Sequence, residues 1–557
     1  VREIVEAARG GATIDLALVN ASVFNSFLCE WEDTALGIHA GRVLGPGRYR
    51  ARRELDLGGS RVIPGMIDAH VHVESSLLSP FEYARLAADH GTTTVIADPH
   101  EIANVIGVPG IEYILACRPY LPVDLLVTLP SCVPATPADV GGAEIGADRL
   151  AALMGRDGVI GMGEVMNVPG LLGGDLDLAE KIGLLPVVDG HAPGLTGLDL
   201  NAYVVAGAQS DHEASSAEEG RDRLARGMYL FLREGSTEQN IEALLPLVTP
   251  ATAPRCAFCT DDRHADLISR AGLIDDCVRR AIGGGLEPEL ALRMATLSAA
   301  ERFGLPDRGA LTPGRRADLC VLAAGDGFEV ARTFVLGAEV VDTGPAPAPV
   351  PPAGRPVRCR LPSAGELLPE VDGFARVIEL IPGQVRTRAA DLPVHAGTLP
   401  DLDRDLLPAA VCDAYRGSGT GVGIVRGFGL RRGAIASTVA HDAHQVVAVG
   451  AEPAAIASAI ASVVGSRGGL AVVGLGETTL LPLPVAGLMS DRPYPEVVAA
   501  LERLSAHAAR LGAVPDAFMH LSFLALTVIP ERRLTERGVF DHAAFADVPL
   551  ACGPQER

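Results

Sequence analysis

Lysine is nearly missing from this chain of 557 residues: of its 47 lysines and arginines, Lys181 is the only lysine. Any chemistry that needs a lysine therefore has one candidate. No Lys/Arg-rich run offsets the formal net charge of −22. Such a surface repels nucleic-acid backbones and anionic membranes, which leaves a small molecule as the simpler ligand. No apolar run is long enough to span a bilayer, and the N-terminal Val-Arg-Glu-Ile-Val-Glu-Ala has no basic region followed by an apolar core. The ten cysteines have no regular spacing, which argues against a disulfide framework and fits a reducing compartment. Internal repeats are not evident. The expectation is a soluble, cytoplasmic protein, too long for a single core.

What is present centres on Pro64 to Ser76, Pro-Gly-Met-Ile-Asp-Ala-His-Val-His-Val-Glu-Ser-Ser. On a strand, side chains alternate faces with a period of two, so Asp68, His70 and His72 are expected on one face, where two imidazoles can grip one metal ion. Before it, short apolar runs (Ile14 to Val19, Ala35 to His39, Glu54 to Leu57) between Gly-rich breaks predict a small antiparallel sheet. From Gly65 onward eight apolar runs each end in polar or small residues and precede a helix-like segment. They are Met66 to His72, Thr92 to Asp98, Val123 to Leu129, Val159 to Glu164, Leu185 to His191, Val204 to His212, Met228 to Leu232 and Cys256 to Asp261. Eight βα units in succession predict an α/β fold of the TIM type, a (β/α)8 barrel whose site lies at the C-terminal strand ends. Those ends carry His70, His72, Asp98, Glu164, His191, His212 and Asp261.

After a helical stretch, Leu290 to Phe303, the segments 313–322 and 334–341 return to strand patterning. The expected organisation is a small β domain in two parts (1–63 and 308–343) around the barrel (64–307), then a Pro-rich linker (344–356) and a C-terminal α/β domain (357–557).

As chemistry, His70 and His72 would hold one ion, and His191 and His212 a second. Imidazole with carboxylate suits Zn, Fe(II) or Mn(II). Two cations close together need a shared anion, and Glu164 is placed to be it, although a strand-end carboxylate paired with an arginine fits the local sequence equally well. Asp261 could carry a proton between a metal-bound water and a leaving group; Asp262 would face the other side of the strand. Asp98 reads either as the cap of a loop or as a site residue. His441, Asp442 and His444 read either as functional or as a salt-bridged surface loop.

The Pro64–Ser76 run resembles the first-strand motif of the amidohydrolase superfamily, and its ending His-Val-Glu-Ser-Ser resembles the adenine deaminases within it. Similar to that family are Gly163-Glu164-Val165-Met166-Asn167, Asp98-Pro-His-Glu101, the aspartate Asp261 after a small residue, and C-terminal segments including Gly433 to His444, Leu483 to Asp491 and Phe518 to Pro530. A departure is Arg263-His-Ala-Asp-Leu, where a proline is expected after the histidine. The resemblance implies a hydrolytic adenine deaminase of purine metabolism, with adenine as partner and a homo-oligomeric assembly, dimer or tetramer. It implies two divalent ions per chain, Mn(II) or Fe(II) with Zn(II) as the alternative, held by His70, His72, Glu164, His191, His212 and Asp261. A metal-bridging hydroxide would attack C6 while Asp261, Glu164 and Glu101 serve catalysis. Asp98, His100, Asp262, His441, Asp442 and His444 are candidates for an additional metal or for substrate contact. Superfamily members that bridge their metals with a carbamylated lysine are disfavoured, because Lys181 lies in a putative helix.

Alternatives are a hydrolase opening a cyclic amide of hydantoin or dihydropyrimidine type, a deaminase of a related aminopurine, and a barrel without catalysis. A base deaminase of the His-x-Glu and Pro-Cys-x-x-Cys type is poorly matched by His72-Val-Glu74 and Pro254-Arg-Cys256-Ala-Phe-Cys259. The arginine intrudes, and cysteines three apart on a strand face opposite sides.

Overall fold

The structure, a computed structural model, describes residues 2–325, 327–341, 349–351 and 357–553; the stretch read as a Pro-rich linker falls largely outside them. Each of the eight apolar runs contributes a strand: β1 (Met66–Val71), β2 (Thr92–Ala97), β3 (Asp124–Leu129), β4 (Val159–Val165), β5 (Val188–Gly190), β6 (Ser210–Asp211), β7 (Tyr229–Arg233) and β8 (Cys256–Cys259). All neighbours pair in parallel, β1 to β5 in one sheet and β6 to β8 in another. The ladder is thus split five and three, where the sequence predicts one eight-stranded barrel. At one seam β8 returns to β1 through the Val71–Asp261 bridge, with the Asp261 N–H donating to the His70 carbonyl at 3.0 Å. At the other, the Gln209 N–H donates to the Val188 carbonyl at 3.1 Å. Ile67, Ile96, Leu126, Phe231 and Ala257, from five of these strands, join Phe303 in one apolar cluster.

The run Val204 to His212 is not one strand. Its first part ends the helix Gly197–Ala206, whose buried Leu200 and Tyr203 are three apart, a helical period; the chain then turns at Gly207, with φ 128°, and only Ser210–Asp211 pairs. The helix has a consequence for the site. The Tyr203 hydroxyl accepts the His191 N–H and donates to the Val165 carbonyl, both at 2.8 Å, which fixes where β5 delivers its histidine.

The N-terminal strands join Leu319–Leu322, Val330–Val335 and Ala338–Glu339 in an eight-stranded sheet. It is mixed rather than antiparallel, because Ile14–Asn25 pairs in parallel with Ala51–Asp56 and Arg61–Pro64. The C-terminal region forms a nine-stranded sheet whose central strands alternate small and large residues. Ala434, Ala436, Ala448 and Ala471 pack under the helix Pro453–Gly465, and alanine lets that helix approach closely. Ile435, Val447, Val449, Leu470 and Val472 face the other way, into a core shared with Val71, Leu78 and Ile102 beside β1 and β2. That shared core brings the loop 438–445 to the strand ends.

Buried arginines brace the same end. Arg223, fully buried, pairs with Asp211 at 3.0 Å and donates to the Ala192 and Leu195 carbonyls, both at 2.6 Å, tying together the loops that carry His191 and His212. Arg223→Met would leave Asp211 charged and unpaired in the interior, so we expect a loss of about 3–5 kcal/mol of stability. It would be read as an earlier unfolding midpoint in urea; an unchanged midpoint would mean that Asp211 is held without this arginine.

Candidate functional site

At the C-terminal ends of the strands, Glu164 lies between two groups of histidines. Its Oε1 is 3.2 Å from His72 Nε2, 3.6 Å from His70 Nε2 and 3.5 Å from His100 Nδ1. Its Oε2 is 2.6 Å from His191 Nδ1 and 3.4 Å from His212 Nε2. Asp261 Oδ1 closes the first group, 3.1 Å from His72 Nε2 and 3.6 Å from His70 Nε2, while its Oδ2 accepts from Arg233 at 2.6 Å. All six metal-capable side chains named for the two ions therefore converge, and each is at most 5 % exposed. His72 Nδ1 sits 2.9 Å from the Asp98 carbonyl, which can only accept. The proton is thus assigned to Nδ1, which leaves Nε2 free as a ligand.

Burial would lower the basicity of His70, His72 and His191, and their carboxylate partners outweigh it. The nearby carboxylates of Asp189 and Glu164 push His70 up to about 10, and the charges of Glu213 and Glu164 push His191 up to about 9. Burial would raise Glu164 and Asp261, yet His191 acting on the first and Arg233 on the second help hold both well below the usual carboxylate range. Several of these buried atoms make no properly directed hydrogen bond: both ring nitrogens of His191, Nδ1 of His70 and Oε2 of Glu164. Unsatisfied buried polar atoms are costly. Divalent cations among them would satisfy them, and the triads His70–His72–Glu164, Glu164–His191–His212 and His70–His212–Asp261 have the donor types and proximity to hold such ions.

The remaining candidates separate. His100 and Glu101 open the helix His100–Ile106 and line the pocket; Glu101 is clamped in very short contacts by His441 Nδ1 and His444 Nε2, with His100 Nε2 at 3.3 Å. Burial would raise Glu101, but His441, His444 and His100 hold it well below the usual carboxylate range. His441, Asp442 and His444 are buried at the site and are not a surface loop. Asp98 Oδ2 accepts the Glu164 N–H at 3.0 Å, a positioning contact, while its Oδ1 lies 3.6 Å from His100 Nδ1. Asp68, expected on the face of the histidines, instead accepts from Thr260 N–H at 3.1 Å and Thr260 Oγ1 at 2.5 Å, which anchors the turn into Asp261. Asp262 was expected on the opposite face from Asp261, yet both line the pocket. The strand ends at Cys259 and Asp261 has φ 53°, so alternation no longer applies. Lys181 lies in the helix Leu176–Gly183, paired with Asp177 at 2.9 Å and donating to the Ser131 carbonyl at 3.2 Å.

Arg233 and Glu213, which pair with each other beside Asp261, escape the sequence reading. The signal was available: Arg233 is the last residue of β7, and Glu213 follows His212. Phe523, Leu526 and Ile529 add an apolar wall, with the Phe523 ring stacked 4.8 Å from that of His441. Roomier grooves, one lined by Gln239, Leu245 and Arg280 and one by Asn20, Tyr49 and Arg61, carry no histidine. Cys256 and Cys259 are buried in different apolar clusters, on opposite faces of β8, and burial pushes the Cys256 thiol up to about 12.

Residues 61–340 match the amidohydrolase family, and residues 384–546 match the adenine deaminase C-terminal domain. An adenine deaminase of Methanoculleus marisnigri is 61% identical over 514 residues, 92% of this chain and 99% of that protein. The chain belongs to the adenine deaminase family. Relatives of the same name from Methanoregula boonei (56% identical, 98% of each chain covered) and Desulfatibacillum aliphaticivorans (41% identical, 98% of this chain and 99% of that one) span it almost end to end. A family model and relatives of this length cover the loop 438–445 as well as the strand ends.

Because His70, His72 and His191 all lie above neutrality without an ion, each holds a proton at pH 7 that a cation must displace. Cation affinity is expected to rise with pH from 7 toward about 10, with roughly three protons released per pair of ions bound. Calorimetry in buffers of different ionisation enthalpy measures that number; no proton release would contradict the protonation of the empty cluster.

Proposed function

We propose that the protein deaminates adenine hydrolytically, turning adenine and water into hypoxanthine and ammonia at a binuclear metal centre. The observation that carries this is Glu164, with one oxygen toward His70 and His72 and the other toward His191 and His212, in a chain of the adenine deaminase family. In this reading His70, His72 and Asp261 would hold one divalent ion, His191 and His212 the other, and Glu164 both. Mn(II) or Fe(II) is the expected metal, with Zn(II) as the alternative. Such ions, when bound, supply acidification of a water and polarisation of the reacting centre.

The side chains then divide the proton work. Asp261, ionised and steered by Arg233 at 2.6 Å, takes the proton of the attacking water and returns it to the amine departing from C6. Glu101 stands on the other side of the pocket as a carboxylate, so it starts without a proton to give. Its contact with His441 Nδ1 supplies one, which Glu101 can pass to a ring nitrogen as C6 becomes tetrahedral, and the second water proton, left on the C6 hydroxyl, restores it to Glu101 and His441 as the carbonyl forms. Phe523, Leu526 and Ile529 would pack on the base and exclude water.

We read the two parallel sheets as one (β/α)8 barrel spanning 64–307. It is flanked by the composite sheet of 1–63 and 308–343 and followed by the C-terminal α/β unit of 357–557. Free adenine rather than a nucleic acid is the substrate in this reading, and the working assembly is a homo-oligomer in the cytoplasm.

Ammonia release from adenine by protein loaded with Mn(II), Fe(II) or Zn(II), with adenosine and a dihydropyrimidine as controls, tests the reaction; turnover of the dihydropyrimidine alone would overturn it. Asp261→Asn should lose roughly 10²- to 10⁴-fold in turnover with metal still bound, and near-normal turnover would move the proton work to Asp262 or Glu101. Glu164→Ala should fail to retain both ions, and a variant that keeps two per chain would remove the bridging role.

A further inference from the structure

Beside the binuclear cluster, three side chains from three separate segments meet. His100 begins the helix after β2, Cys132 lies in the loop after β3, and Asp442 comes from the C-terminal loop 438–445. Their ligand atoms lie within 4.8 Å of one another, with His100 Nε2 3.6 Å from Asp442 Oδ1. Each residue is at most 3 % exposed. Asp442 Oδ2 is buried without a hydrogen-bond partner, a costly state for a carboxylate oxygen. No arginine or lysine side chain pairs with Asp442 among the ion pairs of the described residues; its one partner is the His100 imidazole.

We propose that His100, Cys132 and Asp442 form a third cation site, distinct from the two sites that share Glu164, and that its ion is Zn(II). The proposal goes beyond the binuclear reading of the function, which uses neither Cys132 nor Asp442. The donor set decides the metal class: one imidazole nitrogen, one thiolate sulfur and one carboxylate oxygen suit a borderline ion that accepts tetrahedral N, S and O ligands, whereas Mg(II) or Ca(II) would take oxygen alone. Both oxygens of Glu101 are already held by His441 and His444, so the fourth position is left to a water.

An ion here would do mechanical work. It would tie the loop 438–445 to the strand ends, and that loop delivers His441 and His444 to Glu101. The plainer account is an imidazolium–carboxylate pair between His100 and Asp442, with Cys132 as an inert thiol that packs against Ala135, Met166 and Phe523. The two accounts differ in metal content and in the state of one sulfur.

Holoprotein loaded with Zn(II) and freed of excess ion should carry three equivalents per chain, falling to two in Cys132→Ser and in Asp442→Asn. Loaded with Co(II), it should show thiolate-to-cobalt charge-transfer absorption in the near ultraviolet that disappears in Cys132→Ser and persists in Cys359→Ser, whose thiol lies in the separate apolar cluster beneath the helix Pro453–Gly465. Two equivalents in the parent protein, no charge-transfer band, or a band that survives Cys132→Ser would each overturn the site. The parent's stoichiometry and spectrum decide the matter even if a variant fails to fold. Failure of the binuclear reading has its own signature: Glu164→Ala would keep its full metal content while the Cys132 band remained.

Discussion

A single carboxylate shared between two sets of imidazoles is what the architecture around it is arranged to hold. Glu164 is fixed through its backbone on both sides: its N–H donates to Asp98 Oδ2 at 3.0 Å, and its carbonyl accepts from Ser131 Oγ at 2.5 Å. The residue before it has to be glycine, because a Cβ at Gly163 would fall 2.1 Å from the same Asp98 oxygen. These contacts, made after β2 and after β3, fix where the Glu164 backbone sits, so its side chain leaves β4 from a set position between the two groups of histidines. The charge has the same logic, since a buried carboxylate is tolerable only with cations or donors around it, and here five imidazoles supply them.

The strand ends alone do not complete the pocket. Glu101 is covered by His441 and His444 from the loop 438–445, which belongs to the C-terminal sheet region, and alternation of alanine and larger aliphatic residues gives that sheet two different faces. The alanine face accepts a helix, and the aliphatic face enters the core beside β1 and β2. Register matters in such a sheet, because a slip of one residue would exchange the two faces. The same packing buries His441 and His444 against Glu101 at a depth where water cannot screen the interaction, which strengthens every charge contact in the site.

The pair His70 and His72 was readable from period two, although β1 pairs irregularly between Asp68 and Val71 and ends one residue short of His72. Asp68 shared that period yet serves Thr260, because it sits a full turn of the pleat deeper, level with β8, and finds donors there first. Asp261 and Asp262 could not be separated by alternation once the chain left strand geometry at Cys259. The Val204 to Ala206 segment misled because two adjacent β-branched residues suggest a strand, while the helical spacing of Leu200 and Tyr203 decides the local structure. His441 and His444 could be assigned only by resemblance: their partner Glu101 is 340 residues away, and no local pattern encodes a contact across that separation.

The scarcity of lysine fits the same electrostatic scheme. The buried cations that brace this end of the strands, Arg223, Arg233 and Arg302, each reach two or more acceptors at once, as a planar guanidinium can. Arg233 spans Glu213 and Asp261 with one fork, so Asp261 is kept ionised and aimed by a group that cannot lose its own proton. A lysine in that position would offer a point charge whose pKa falls on burial, and the proton it released would compete with the one Asp261 has to carry. Holding the carboxylates with arginine therefore separates charges that stay fixed from protons that move.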